Sequence, residues 1–166
     1  MTALLRLSLA GLALLASTSA ADDVKLEPMT FEEWDRTLTG YQPNIVVVDM
    51  WATWCEPCIK RFPKMVELHG LYGDAGVEFV SMLLEDPGEP EAIDRARGFL
   101  ERQNATFDNF WMNENLMESF ERLDLIGLPA VLVYDRDGKL AHKLTGDDPN
   151  NQFDDADVEA AILGLL

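Results

Sequence analysis

Residues 45–51, Ile-Val-Val-Val-Asp-Met-Trp, form a β-branched, apolar run with no alternation of polar and apolar positions. A strand with one wet face alternates; a continuous run reads as a strand covered on both faces, as in a parallel or mixed sheet. Ala52-Thr-Trp-Cys-Glu-Pro-Cys follows directly, and Pro57 suits the first turn of a helix. The spacing predicts a helix from there through Lys60, Met65, Val66 and Leu68, ending near Gly70 or Gly73, with Pro63 as a kink. Strand, tight turn and helix in that order demand an α/β arrangement.

Further elements fit the same class. Thr30-Phe-Glu-Glu33 is a capping-box pattern opening a short helix to about Leu38, with Phe31, Trp34 and Leu38 on one face and Gly40 at its end. Residues 22–29 read as a polar lead-in. Strands are expected over 77–84 and 106–112, and helices over 89–103 and 114–123. Residues 130–134 and 139–144 read as an antiparallel pair joined by Asp135-Arg-Asp-Gly138. A last helix over 153–165 is expected to turn Phe153, Ala156, Ala160 and Leu163 or Leu165 inward. The expected architecture is a mixed sheet flanked by helices on both faces, with the loop after residue 51 at the carboxyl end of the sheet, where ligands gather.

Residues 1–20 carry Arg6, an apolar stretch from Leu7 to Ala16, and small residues at 17–21. That is the order of a secretory signal peptide, cleaved after Ala20 or Ala21, with an uncleaved anchor as the alternative. The expected organisation is therefore a signal peptide over 1–20 and one domain over 21–166. The formal charge is -17, from 30 acidic and 13 basic residues, and losing Arg6 would make it -18. Such acidity argues against a nucleic-acid partner, whose binding needs a basic face. It makes a well-solvated surface, or a field that attracts basic protein partners.

Cys55 and Cys58 are the chain's only 2 cysteines. Export favours disulfides, but a loop this small removes little unfolded-state entropy, so a structural staple is weakly motivated. Zinc would need further ligands, and His69 and His142 lack the spacing. Thiol chemistry fits best. A helix N-terminus favours an anion, and Cys55 falls at the expected N-cap, so it should ionise more readily than free cysteine. Cys58, one turn in, should be more buried. Cys55 would attack a partner disulfide and Cys58 would resolve the mixed disulfide. Glu56 acts in two opposed senses: its charge discourages the thiolate, while the helix start favours the carboxylate.

Asp49-Met-Trp-Ala-Thr-Trp-Cys-Glu-Pro-Cys, with Pro63 and Gly127-Leu-Pro129, resembles a thioredoxin-fold protein, and more closely the TlpA/ResA-like extracytoplasmic thiol–disulfide oxidoreductases, over about residues 25–166. The resemblance implies that Cys55 attacks and Cys58 resolves, that the bond before Pro129 is cis, and that Trp51 and Trp54 border the site. Leu128 would then offer its backbone to an extended substrate. Asp49 stands where thioredoxin has its buried acid, and could relay the proton of Cys58; otherwise it is a strand-end acid reaching water. Several ResA-like proteins carry Glu three after the second cysteine, where this chain has Arg61, which leaves the local acid role to Asp49 and Glu56. Met50 replaces a common aromatic.

The candidate catalytic residues are thus Cys55, Cys58, Asp49 and Glu56, and the substrate-facing ones Trp54, Pro57, Leu128 and Pro129. The implied activity is disulfide exchange with exported proteins, as a reductant, for example in cytochrome c maturation. A membrane electron donor and a periplasmic, monomeric protein are expected, with no cofactor and no metal. The competing reading is a binding module with an inert disulfide. His69, His142 and the glycines at 70, 73 and 76 read as structural, and Phe107, Phe110 and Trp111 as core.

Overall fold

A computed structural model describes residues 24–146 and 152–166. The expected signal peptide lies outside these residues. Six strands form one mixed sheet in the order β1-β4-β3-β2-β5-β6. β1 is Glu27–Met29, β2 Ile45–Trp51, β3 Val77–Leu83, β4 Asp108–Met112, β5 Ala130–Tyr134 and β6 Leu140–Thr145. The first four in that spatial sequence run parallel, and β5 and β6 are antiparallel to their neighbours. The expected fold class is borne out.

β2 is buried at every position. Alternate residues serve two cores, as the two-fold repeat of a strand requires. Ile45, Val47 and Trp51 face α2 (Glu56–Tyr72), α3 (Pro90–Gln103) and α5 (Asp155–Leu163). Val46, Val48 and Met50 face α1 (Phe31–Gly40) and α4 (Leu116–Arg122). Thr30 caps α1 through the expected capping box. The Asp135–Gly138 turn closes β5 onto β6, with Gly138 at φ 75°, a left-handed value that suits glycine.

Three expectations are corrected. Part of the polar lead-in pairs as β1 along the edge at β4; Pro28 is tolerated there because an edge strand need not donate on its open side. The final helix starts at Asp155, capped by Asp154, and buries Val158, Ala161 and Ile162, while Ala156, Ala160 and Leu163 are exposed. Alanines on both sides had blurred its phase; the branched Val158 and Ile162 set it. Trp51 is fully buried, with its ring 5.3 Å from Phe62 and 5.2 Å from Phe99. It supports the site from beneath and does not border it.

His69 packs between Phe79 and Phe107, and Phe107 and Phe110 are buried, as expected of core residues.

Candidate active site

The end of β2 delivers the chain to the site. After Trp51 a short turn places Cys55 at the N-cap of α2, its N–H donating to the Ala52 carbonyl at 3.1 Å. Cys55 and Cys58 are joined as a disulfide, with Cα atoms 5.3 Å apart. The Cys55 Sγ also accepts the Cys58 backbone N–H at 3.3 Å. An N–H of the helix start, left without an intrahelical acceptor, therefore already points at the sulfur that a negative charge would occupy. Cys55 keeps 4% of its surface and Cys58 none, which gives the order of access expected from the sequence.

Glu56 and Lys60 form an exposed ion pair at 2.7 Å, one turn apart on α2. The Lys60 hydrogen bond holds the Glu56 carboxyl below the ordinary carboxylate range. Glu56 is thus a solvated charge matched by a neighbour and lies away from the buried side of the sulfurs. Trp54 is 56% exposed beside Cys55.

Sheet register brings the second loop to the same end. Met50 pairs with Ala130, so Pro129 falls beside the end of β2 from which the cysteine turn departs. The Leu128–Pro129 bond is cis, as expected; Gln42–Pro43 is cis too, and no sequence feature had singled it out. Leu128 and Pro129 are half-buried, and Ile126, just before them, is 88% exposed. Gly146 donates its N–H to the Pro129 carbonyl at 2.9 Å.

Beneath α2, Asp49 is fully buried, and its Oδ1 accepts a hydrogen bond from Nη2 of Arg61. The reading of Asp49 as an acid reaching water is thereby excluded. Burial pushes its carboxyl above the ordinary range, the Arg61 charge pulls it back, and Asp155 adds to the rise. Arg61 is itself buried, its guanidinium 5.1 Å from the Phe153 ring. Sequence reasoning noted Arg61 only as a departure from the family pattern. It also missed Glu85, buried at 4% exposure, whose Oε1 accepts both the N–H and the hydroxyl of Thr53, each at 2.6 Å. A carboxylate just past a strand whose neighbour ends in the cysteine turn was the available signal for Glu85. For Arg61 it was a cation three residues from Cys58 on the helix.

The Redoxin family pattern matches residues 17–162. The chain belongs to the Redoxin family. This Redoxin chain is 30% identical over 132 residues to the thiol-disulfide oxidoreductase ResA of Geobacillus thermodenitrificans, covering 80% of itself and 71% of that protein. It is 27% identical over 118 residues to the ResA of Bacillus thuringiensis, with 71% of itself and 64% of that protein covered. A solved structure from Chlorobium tepidum, titled as a candidate thiol:disulfide interchange protein DsbE, superposes with a TM-score of 0.63 at 26% identity, over 77% of this chain and 84% of that one. Family, fold and paired sulfurs agree: this Redoxin-family protein is a thiol–disulfide oxidoreductase of the thioredoxin fold.

Proposed function

We propose that the protein is an exported disulfide reductase acting on other exported proteins, with Cys55 as attacking and Cys58 as resolving sulfur. The supporting observation is the Cys58 N–H directed at the Cys55 Sγ on the more accessible side of the pair. In the reduced protein the Cys55 thiolate attacks a partner disulfide. A sulfur–sulfur bond forms to Cys55, and the partner's other sulfur leaves as a thiolate and takes a proton. Cys58 then gives up its proton, attacks Cys55 and releases the second partner thiol. Two electrons have passed to the partner, and Cys55–Cys58 is again a disulfide.

Trp54, Pro57, Leu128 and Pro129 would frame the partner segment, with the Leu128 backbone available to pair with an extended chain. Glu56 and its Lys60 partner set the charge at the rim. The leader-like order of residues 1–20 supports export; no helix among the described residues is long and apolar enough to cross a membrane. Refilling the pair with electrons requires a thiol donor, for which a membrane protein is the proposed source. Apocytochrome c thiols are one proposed target, through the ResA resemblance.

The test is trapping. Cys58→Ser in the otherwise intact protein should accumulate mixed disulfides through Cys55 from an oxidised extract of exported proteins, identifiable by mass spectrometry, and Cys55→Ser should accumulate none. Equal recovery from both variants would sink the assignment of roles. A binding module with an inert disulfide predicts no adduct in either and a Cys55–Cys58 bond that resists dithiothreitol.

A further inference from the structure

The interior of the sheet beneath α2 carries a row of polar residues. Asp49, Ser81 and Asn109 occupy matched positions on β2, β3 and β4, all buried. Ser81 donates to the Asn109 Oδ1 at 2.8 Å, and Asn109 donates to the Ala105 and Phe107 carbonyls at 2.9 and 2.6 Å. That pair is internally satisfied. Asp49 is not: its Oδ2, and the Nε and Nη1 of Arg61, are buried without a hydrogen-bond partner among the described residues. The other groups around this pair are Val131 on β5, which is apolar, Phe153 against the guanidinium, and Asp155 at the start of α5, the further acid whose charge Asp49 senses.

Cys58 and Arg61 are three residues apart on α2 and both buried. Residues at that spacing share a helix face, with Cβ atoms about 5–6 Å apart. The buried Arg61 thus bonds Asp49 while sharing a helix face with Cys58, and it leaves donors open beyond its bond to Asp49.

We propose that Arg61 is a positioning residue, the shared counter-ion through which Cys58 hands its proton to Asp49. The inference rests on the exchange reaction proposed above and deepens it. Before resolution, Arg61 pairs with the Asp49 carboxylate and Cys58 is a thiol. The proton passes from the Cys58 sulfur to the unpartnered Asp49 oxygen, leaving a thiolate and a carboxylic acid, and Arg61 then balances the thiolate. The buried trio has zero net charge on both sides of the transfer. No uncompensated charge is created in the interior, where one would be costly. The thiolate next attacks Cys55; once its charge has left with the partner thiolate, Asp49 releases the proton to that leaving group or to water and pairs again with Arg61.

The readout is stopped-flow reaction of the reduced protein with a symmetrical aromatic disulfide whose released thiol is coloured. The first equivalent of colour reports attack by Cys55, and the second reports resolution by Cys58. Arg61→Met should leave the first phase near wild type, slow the second at least tenfold at neutral pH, and move its rising limb up by a pH unit or more. Arg61→Lys, which keeps the charge, should recover most of the rate. Asp49→Asn removes the proton acceptor and should lower the plateau rate of the second phase, while its limb moves the other way, because Arg61 then has only the Cys58 sulfur to pair with. Should Arg61→Met fail to fold, the charge-neutral pair Asp49→Asn/Arg61→Met replaces it: adding the second change to the first should raise the limb by a unit or more. An unchanged second phase and pH profile on removal of Arg61, alone or in that background, overturns the proposal and leaves the oxidoreductase reading intact. A wild-type first phase no faster than that of a free thiol overturns both.

Discussion

Glu85 offers a direct measure of how firmly the cysteine turn is held. Its carboxylate accepts two hydrogen bonds from Thr53, two residues before Cys55, at 2.6 Å each. Bonds to a charged acceptor are worth about 1.5–3 kcal/mol each when one partner is removed. Part of that is returned on truncation, because a buried carboxylate is itself costly to desolvate. The expected net loss for Glu85→Ala is about 2–3 kcal/mol. For a domain of this size each kcal/mol lowers Tm by about 2–4 °C, so the fall should be roughly 5–10 °C. Glu85→Gln keeps an acceptor and should lose about half as much. Thermal unfolding of the oxidised protein, followed by circular dichroism, reads the stability. The first phase of the aromatic disulfide reaction reads the function, and it should slow about tenfold in Glu85→Ala as Cys55 loses its fixed aim. If Glu85→Ala unfolds within about 0.5 kcal/mol of wild type, as a neutral surface change would, and attacks at the wild-type rate, the clamp carries neither order nor chemistry.

Two further outcomes follow from the packing. A Cβ on Gly146 would lie 3.0 Å from Cδ and 3.2 Å from Cγ of Pro129, so Gly146→Ala should cost about 1–3 kcal/mol by overpacking and slow reaction with protein disulfides more than with the small dye; equal slowing of both would contradict a role for the Pro129 loop in partner docking. Thr30→Ala removes the cap of α1 and should cost about 1 kcal/mol at neutral pH. The Thr30 hydrogen bonds hold Glu33 below the ordinary carboxylate range, so this linkage stabilises above that range and is lost as pH falls through the lowered value. Urea midpoints of wild type and variant should therefore converge in acid; a constant gap would separate Glu33 from the cap.

What the sequence disclosed was set by how local the determinant is. The unbroken run at 45–51, the Thr30 capping box and the cysteine N-cap are each decided within a few residues, and each stands in the structure as expected. Strand β1 is three residues long and owes its existence to β4, more than 80 positions away, so its own residues carry almost no signal. The family resemblance implies that Trp51 borders the site; strand alternation instead turns it to the core face, where Phe62 and Phe99 take its ring. The partnership of Asp49 with Arg61 joins a strand to a helix, and that of Glu85 with Thr53 joins two strand ends. Neither pairing follows a periodic pattern, so both needed the tertiary arrangement to become visible.

Where the interior departs from apolar packing is itself informative. Three polar residues lie side by side across β2, β3 and β4, each a burden on stability unless satisfied. Ser81 and Asn109 meet that condition with neutral groups and backbone carbonyls. Asp49 and Arg61 together could have been apolar without loss of the fold, since a buried ion pair is often no more stabilising than the hydrophobic residues that would replace both partners. A carboxylate with one oxygen still open, bonded to the helix that carries both sulfurs, is poorly explained by stability. It is well explained by a reaction that must store one proton out of water while a sulfur changes partners. The sites where a chain breaks its own packing rules are the sites where chemistry is to be sought, and here the break coincides with the cation proposed to keep a stored proton from unbalancing the core.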